Sequence, residues 1–169
     1  MFKKVLLIII LFYIFALLQS SFFTNFSLFG AIPNLIFIFF FLLVFFIKKE
    51  NNYQLFILAL MAGLLLDILS YSYLGMSIVL LVVIGFLLKK VQSSLRNRGD
   101  DKYPFAYFLP LFAIFFVIYN LCFGLYLYFV GLTAVPASFG LEGIFSLIYN
   151  LIIASGFFYI YKRWLKFTK

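Results

Sequence analysis

Two acidic side chains beside long apolar runs are the residues best placed to do chemistry. Asp67 lies in "AGLLLDILSYSYLG", residues 62–75, and Glu142 lies at the start of the last apolar segment. A charge at the centre of a membrane helix costs about 2.5–3.5 kcal/mol, so such an acid needs a partner and is a candidate for binding a ligand or a protein. We expect no enzyme, metal or cofactor, because the chain has no His and one Cys.

Helical spacing places small residues beside the first acid. Ala59, Gly63 and Asp67 lie at i, i+4 and i+8 and therefore share one helix face. Small residues on that face let another helix approach closely, so we expect Asp67 to point into a helix bundle. Its carboxylate then either holds the start of the next helix near Ser72, which is a structural role, or binds a partner or ligand.

The expected partners of Asp67 are neutral polar side chains at the same depth of the bundle. Glu142, Ser146 and Asn150 form a stripe with a spacing of four, and Asn120 lies on the preceding apolar segment. Hydrogen bonds between helices are the simplest role for Asn120 and Asn150, and each is worth about 0.6 kcal/mol.

Composition indicates the elements that must carry these residues. Of 169 residues, 67% are hydrophobic and 11% are charged, and the mean hydropathy is +1.20. Such a chain is an all-α integral membrane protein with a single domain, residues 1–169. The 27 Phe and 12 Tyr suit lipid-facing and interfacial positions. Six apolar segments predict six transmembrane helices at about 5–23, 33–47, 53–70, 74–88, 104–130 and 141–161.

The 13 Lys and Arg residues occupy alternate connections between these segments. They are Lys3, Lys4, Lys48, Lys49, Lys89, Lys90, Arg96, Arg98, Lys102, Lys162, Arg163, Lys166 and Lys169. By the positive-inside rule both termini are cytoplasmic. The net charge of +8 then reports orientation and contact with anionic lipid in the bilayer, and we do not expect nucleic acid to bind.

The segment "QSSLRNRGDDKYP", 92–104, is the most hydrophilic part of the chain. It is either a solvated linker or a cytoplasmic docking site built on the basic loop Lys89, Lys90, Arg96, Arg98 and Lys102. The N-terminal apolar segment resembles a signal peptide in length, but it lacks a clear A-x-A site, so we expect it to be retained.

Three stretches follow one another in a fixed order: "LLQSSFF", "LFGAIPNLIFIFF" and "ALMAGLLLDILSYSYLGMSIVLL". Together they resemble the MreD family of bacterial rod shape-determining membrane proteins. The family's Pro-Asp or Pro-Asn and its G-L-x-x-D and Leu-Gly elements match Pro33, Asn34, Gly63, Leu64, Asp67, Leu74 and Gly75. Asn34 stands where the family often has an acid. The motifs cover about residues 17–85.

The resemblance implies a non-enzymatic scaffold of the elongasome. Such proteins associate with MreC, and through it with a peptidoglycan polymerase and its penicillin-binding protein, while the filament MreB lies on the cytoplasmic side. The implied fold is similar to the substrate-binding subunits of energy-coupling-factor transporters. A vitamin-transporter subunit of that kind is therefore the alternative function. The first segment lacks the Ala-x-x-x-Ala element of those subunits, since its only alanine is Ala16.

Overall fold

The computed structural model describes residues 2–27, 30–46, 52–70, 74–96, 105–131 and 140–167. Within these ranges the chain is helical, which confirms the all-α expectation for them. The helices are α1 Phe2–Leu17, which continues as a π-helical turn Leu18–Phe22, α2 Leu35–Phe46, α3 Asn52–Leu69, α4 Met76–Arg96, α5 Phe105–Phe129 and α6 Leu141–Phe167.

The helix ends differ from the predicted segments in a consistent way. The fourth helix continues to Arg96 and the sixth to Phe167, well beyond the predicted ends near 88 and 161. Gln, Lys and Arg are good helix formers, so a helix continues where apolar residues stop. Residues 92–96 are therefore helix, and the expectation of a linker beginning at 92 is wrong for them. The remaining loop, 97–104, lies outside the described residues.

Five of the six described helices are long and apolar enough to cross a membrane. The exception is α2, which has 12 residues and is about 18 Å long at 1.5 Å per residue. The hydrocarbon core of a bilayer is about 30 Å thick. Five of the six predicted segments thus have a described helix long enough to span, while the described part of α2 is shorter than a span.

Helix α2 is the centre of the bundle. It packs against each of the other five helices, and ten of its 12 residues are buried. The apolar side chains of α2 therefore face other helices on all sides rather than lipid. The short second helix is thus a core element rather than a peripheral one.

Phenylalanines spaced by four join α2 to α5. Along α2, Phe37, Phe41 and Phe45 meet Phe116, Phe112 and Phe108 in that order, so the two helices run antiparallel. The Phe41 and Phe112 rings are 5.2 Å apart with an interplanar angle of 90°, and the Phe45 and Phe108 rings are 5.1 Å apart at 86°. Edge-to-face pairs of this kind are worth about 0.5–1.5 kcal/mol beyond burial. Many phenylalanines thus form the core, contrary to the expected lipid-facing role.

Helices α3 and α4 pack closely at two glycines. A Cβ on Gly63 would lie 2.5 Å from Cα of Ile78 and 2.6 Å from its backbone nitrogen, so the α4 backbone touches α3 there. Near the other end of the pair, a Cβ on Gly85 would lie 3.0 Å from the side chain of Leu55. The small residue predicted to allow helix approach does so at Gly63.

Replacing Gly63 by alanine is expected to destabilise the protein by about 1–3 kcal/mol, since a backbone cannot move aside for the added methyl group. Thermal unfolding in detergent would show this as a fall of roughly 2–4 °C per kcal/mol. The matched control is Gly156→Ala, because a Cβ on Gly156 meets nothing within 4 Å. That change should be neutral or stabilising by about 0.5–1 kcal/mol. Equal melting temperatures for the two variants would contradict the close approach.

Candidate functional site

Polar side chains gather at one end of the bundle, where α1, α3 and α5 finish and α2, α4 and α6 begin. We call it the polar end, and it contains the hydrogen-bonding residues Gln19, Asn34, Asp67, Ser77, Tyr119 and Asn150. The opposite end, where α4 carries Lys89 and Lys90, is called the basic end. Asp67 and Asn150, which the sequence analysis selected as polar candidates, therefore lie at the polar end.

Asp67 is fully buried, and its carboxylate accepts two backbone hydrogen bonds from the start of α4. The N–H of Gly75 donates to Oδ2 at 2.6 Å, and the N–H of Ser77 donates to Oδ1 at 2.9 Å. The first N–H groups of a helix have no intrahelical partner, and a negative charge is favoured there by the helix dipole. Asp67 thus caps α4 from the end of α3.

The expected partners of Asp67 were neutral side chains on other helices, and that expectation is wrong. Its donors are backbone N–H groups at the start of the next helix, so the structural role suggested for Asp67 fits better than the partner-binding one. Ser72, near which that role was expected, lies outside the described residues. Gly75 has φ of +114°, a backbone conformation that glycine adopts readily. The turn that brings its N–H onto the carboxylate therefore depends on glycine.

A side-chain contact extends this cap to α5. The hydroxyl of Ser77 lies 3.1 Å from the hydroxyl of Tyr119, and both residues are buried. Ser77 therefore links α3, through Asp67, to α5. Three helices are joined at the polar end by one short polar chain.

The start of α2 is held by side chains from three parts of the chain. Asn34 accepts from the N–H of Phe37 at 3.0 Å and is the N-cap of α2. The buried Asn150 of α6 accepts from the N–H of Asn34 at 2.7 Å, and Gln19 accepts from the N–H of Ile36 at 3.4 Å. Asn150 thus joins α6 to the N-cap residue of α2. Pro33, predicted in the first turn, lies just before the N-cap.

The other end of α2 is held by a residue that sequence reasoning missed. Gln92, on the extension of α4, is 5% exposed and donates to the carbonyl of Phe45 at 3.0 Å. It stands four residues before Arg96 in a segment that looks like a polar linker. Its spacing of four and eight residues from the buried Leu88 and Ile84, on one continuing helix face, is the signal that could have suggested a buried role.

A recess of about 220 Å³ lies beside this network, between α5, α6 and the chain before α2. Its lining includes Asn120 of α5 and Glu142 and Ser146 of α6. Asn120 donates to the carbonyl of Phe116 on its own helix at 2.8 Å, so the bond that the structure gives it is not the expected interhelical one. The three residues of the predicted stripe on α6 therefore have different surroundings. Asn150 bonds to the start of α2, and Glu142 and Ser146 line the recess.

The remaining predicted residues have simpler surroundings. Ala59 is fully buried on the α3 face that also carries Gly63 and Asp67, as the spacing predicts. Leu64 and Leu74 are exposed, which suits contact with lipid. Of the basic loop, Lys89 is half-buried and Lys90 exposed. The side chain of Arg96, and all of Arg98 and Lys102, lie outside the described residues.

This arrangement defines a class of protein before it defines a family. The fold is a multi-pass helical membrane protein whose buried polar side chains satisfy helix ends, and the described residues contain no group of His, Cys, Asp and Glu that could hold a metal ion. The family model described as rod shape-determining protein MreD matches residues 1–167. The chain belongs to the MreD family, and the match extends over α5 and α6, where no motif was found. No curated protein and no solved structure matches the chain.

Removing the carboxylate of Asp67 is expected to lower stability, since it leaves the N–H groups of Gly75 and Ser77 unpaired at about 1–3 kcal/mol each. In thermal unfolding, Asp67→Ala should melt well below wild type. Asp67→Asn should be intermediate, because the amide keeps one acceptor oxygen. Glu142→Gln is the matched control, since Glu142 is exposed. An Asp67→Ala variant as stable as this control would mean that the cap contributes nothing.

The two asparagines near the polar end should differ in the same assay. Asn150→Leu leaves the N–H of Asn34 without its acceptor and should destabilise by about 1–3 kcal/mol. Asn120→Leu removes a bond within one helix and should change stability by less than about 1 kcal/mol. The reverse order of melting temperatures would show that Asn150 does not support the start of α2.

Proposed function

We propose that this protein is a non-enzymatic scaffold of the rod-shape machinery. It would link an MreC-like membrane protein, and with it a peptidoglycan polymerase and penicillin-binding protein, to the cytoplasmic MreB filament. The observation that carries this proposal is the family match over residues 1–167, since the family is one that determines rod shape.

The hydrogen bonds between buried polar side chains and the backbone support a scaffold function. Asp67 and Asn150 accept hydrogen bonds from backbone N–H groups of this chain, and Gln92 donates to a backbone carbonyl. Both oxygens of the Asp67 carboxylate are thus engaged by hydrogen bonds within the bundle. We therefore assign Asp67 to the shape of the bundle rather than to a catalytic step.

The distribution of charge supports an orientation. Lys3, Lys4, Lys48 and Lys49, together with residues 89–102 and 162–169, carry all 13 Lys and Arg residues. By the positive-inside rule we propose that the basic end and both termini are cytoplasmic, in the bacterial inner membrane. The basic end is then the natural face for the filament or for anionic lipid, and the polar end faces outward.

Depleting the protein in its own cells is expected to convert rods into wide or round cells, as measured by light microscopy. Expression of wild type or of the benign Gly156→Ala variant should restore the rod shape. A tagged wild-type chain should also co-purify with the MreC-like protein from detergent-solubilised membranes. Vitamin uptake is measured in the same depleted cells. Normal cell shape with lost uptake would overturn the scaffold and support the transporter-subunit alternative, which no contact between described residues favours.

A further inference from the structure

Helices α5 and α6 leave two recesses between them at different depths. The polar-end recess, of about 220 Å³, is lined by residues of both helices and by Gly30–Ile32. The basic-end recess, of about 480 Å³, is more open and is lined by Phe105, Leu109, Pro110, Ala113, Leu151, Ile152 and Ser155. Neither recess contains the buried network around Asp67.

One stripe of α5 lines both recesses. Phe105, Leu109, Ala113, Phe116 and Asn120 recur at intervals of three or four residues and therefore lie on one side of the helix. At 1.5 Å per residue the stripe is about 22 Å long. That length approaches the roughly 30 Å hydrocarbon core, whereas a phospholipid chain occupies a single leaflet. The dimensions match a transmembrane helix better than a lipid.

Small side chains line the recesses where a second helix would need to come close. Ala113 lies on the α5 stripe, and α6 contributes Gly143, Ser146 and Ser155. Without a hydrophobic force between helices in lipid, association depends on such close backbone approach and on hydrogen bonds from hydroxyl groups. The surface therefore has the composition of a helix–helix interface.

Charge decides what kind of helix would fit. Glu142 lines the polar-end recess, is exposed, and forms no ion pair with any described residue. Ser146 lines the same recess. The Lys and Arg of this chain lie in the segments assigned to the opposite end. In this orientation a second copy of the chain brings no cation to Glu142, so a cation that pairs with it would come from a different protein.

Building on the proposed function, we infer that the α5–α6 cleft binds a transmembrane helix of a partner protein that carries a Lys or Arg at its outer end. The apolar side of that helix packs along the α5 stripe. Its cation pairs with Glu142 at the edge of the bilayer, where the pair is partly desolvated and stronger than on an open surface. The cleft is thus the partner-binding surface, and Asp67 is not part of it.

Charge reversal tests the pairing. Glu142→Lys should reduce recovery of the MreC-like partner about tenfold or more in co-purification, whereas Glu142→Gln should reduce it less. Reversing the partner's outer Lys or Arg to Glu should restore binding to the Glu142→Lys variant. Unchanged melting temperatures establish that each variant folds. The inference is overturned if Glu142→Lys binds the partner as wild type does, while loss of rod shape on depletion leaves the proposed function standing.

Photo-crosslinking tests the cleft itself in intact membranes. A crosslinking residue at Val117 or Ile152 should give an adduct with the partner's transmembrane segment, identified by mass spectrometry. Val79 of α4 is the matched control, because it is similarly exposed, at 59% against 38% and 62%. Adducts with lipid or with a second copy of the chain at the cleft positions, or equal partner adducts at Val79, would contradict the assignment. If wild type fails to recover the MreC-like partner at all, the proposed function itself fails.

Discussion

The backbone at the two ends of a short buried helix is the constraint on which this structure depends. Helix α2 is about 18 Å long and is enclosed by the other five described helices. Its terminal N–H and C=O groups therefore cannot all reach water, and in lipid an unsatisfied group costs several kcal/mol. The backbone N–H groups at its start donate to Gln19, Asn34 and Asn150, and a carbonyl near its end accepts from Gln92. These side chains hold α1, α4 and α6 in register around α2.

The same constraint explains why an acid is tolerated among apolar residues. The start of α4 offers two N–H groups, and the carboxylate of Asp67 accepts both while its charge complements the helix dipole. A neutral amide offers one acceptor oxygen and would leave one N–H facing a donor. The contact of Gly63 with the Ile78 backbone draws α3 and α4 together, so that the carboxylate reaches its donors. Packing and capping therefore support one another in this hairpin.

A bundle whose helix ends are fixed by hydrogen bonds in this way is suited to holding binding surfaces for other proteins. Its buried Asp67, Gln92 and Asn150 hold helix ends, whereas Glu142, beside the cleft between α5 and α6, is exposed. We propose that the basic end and the acidic side chain at the polar end contact different partners. This division of roles agrees with membership of a family that determines rod shape.

The sequence by itself determined the class, the family and the approximate helices, because hydropathy and motif spacing are local properties of the chain. It also placed Ala59, Gly63 and Asp67 on one face, since helical periodicity needs no tertiary contact. Only the tertiary structure decided which groups meet. It showed that Asp67 caps its own chain, that Asn120 bonds within its helix, that Gln92 is buried and that many phenylalanines form the core. These outcomes depend on the depth and rotation of each helix. Packing against α2 sets both, and the sequence of one segment alone does not determine them.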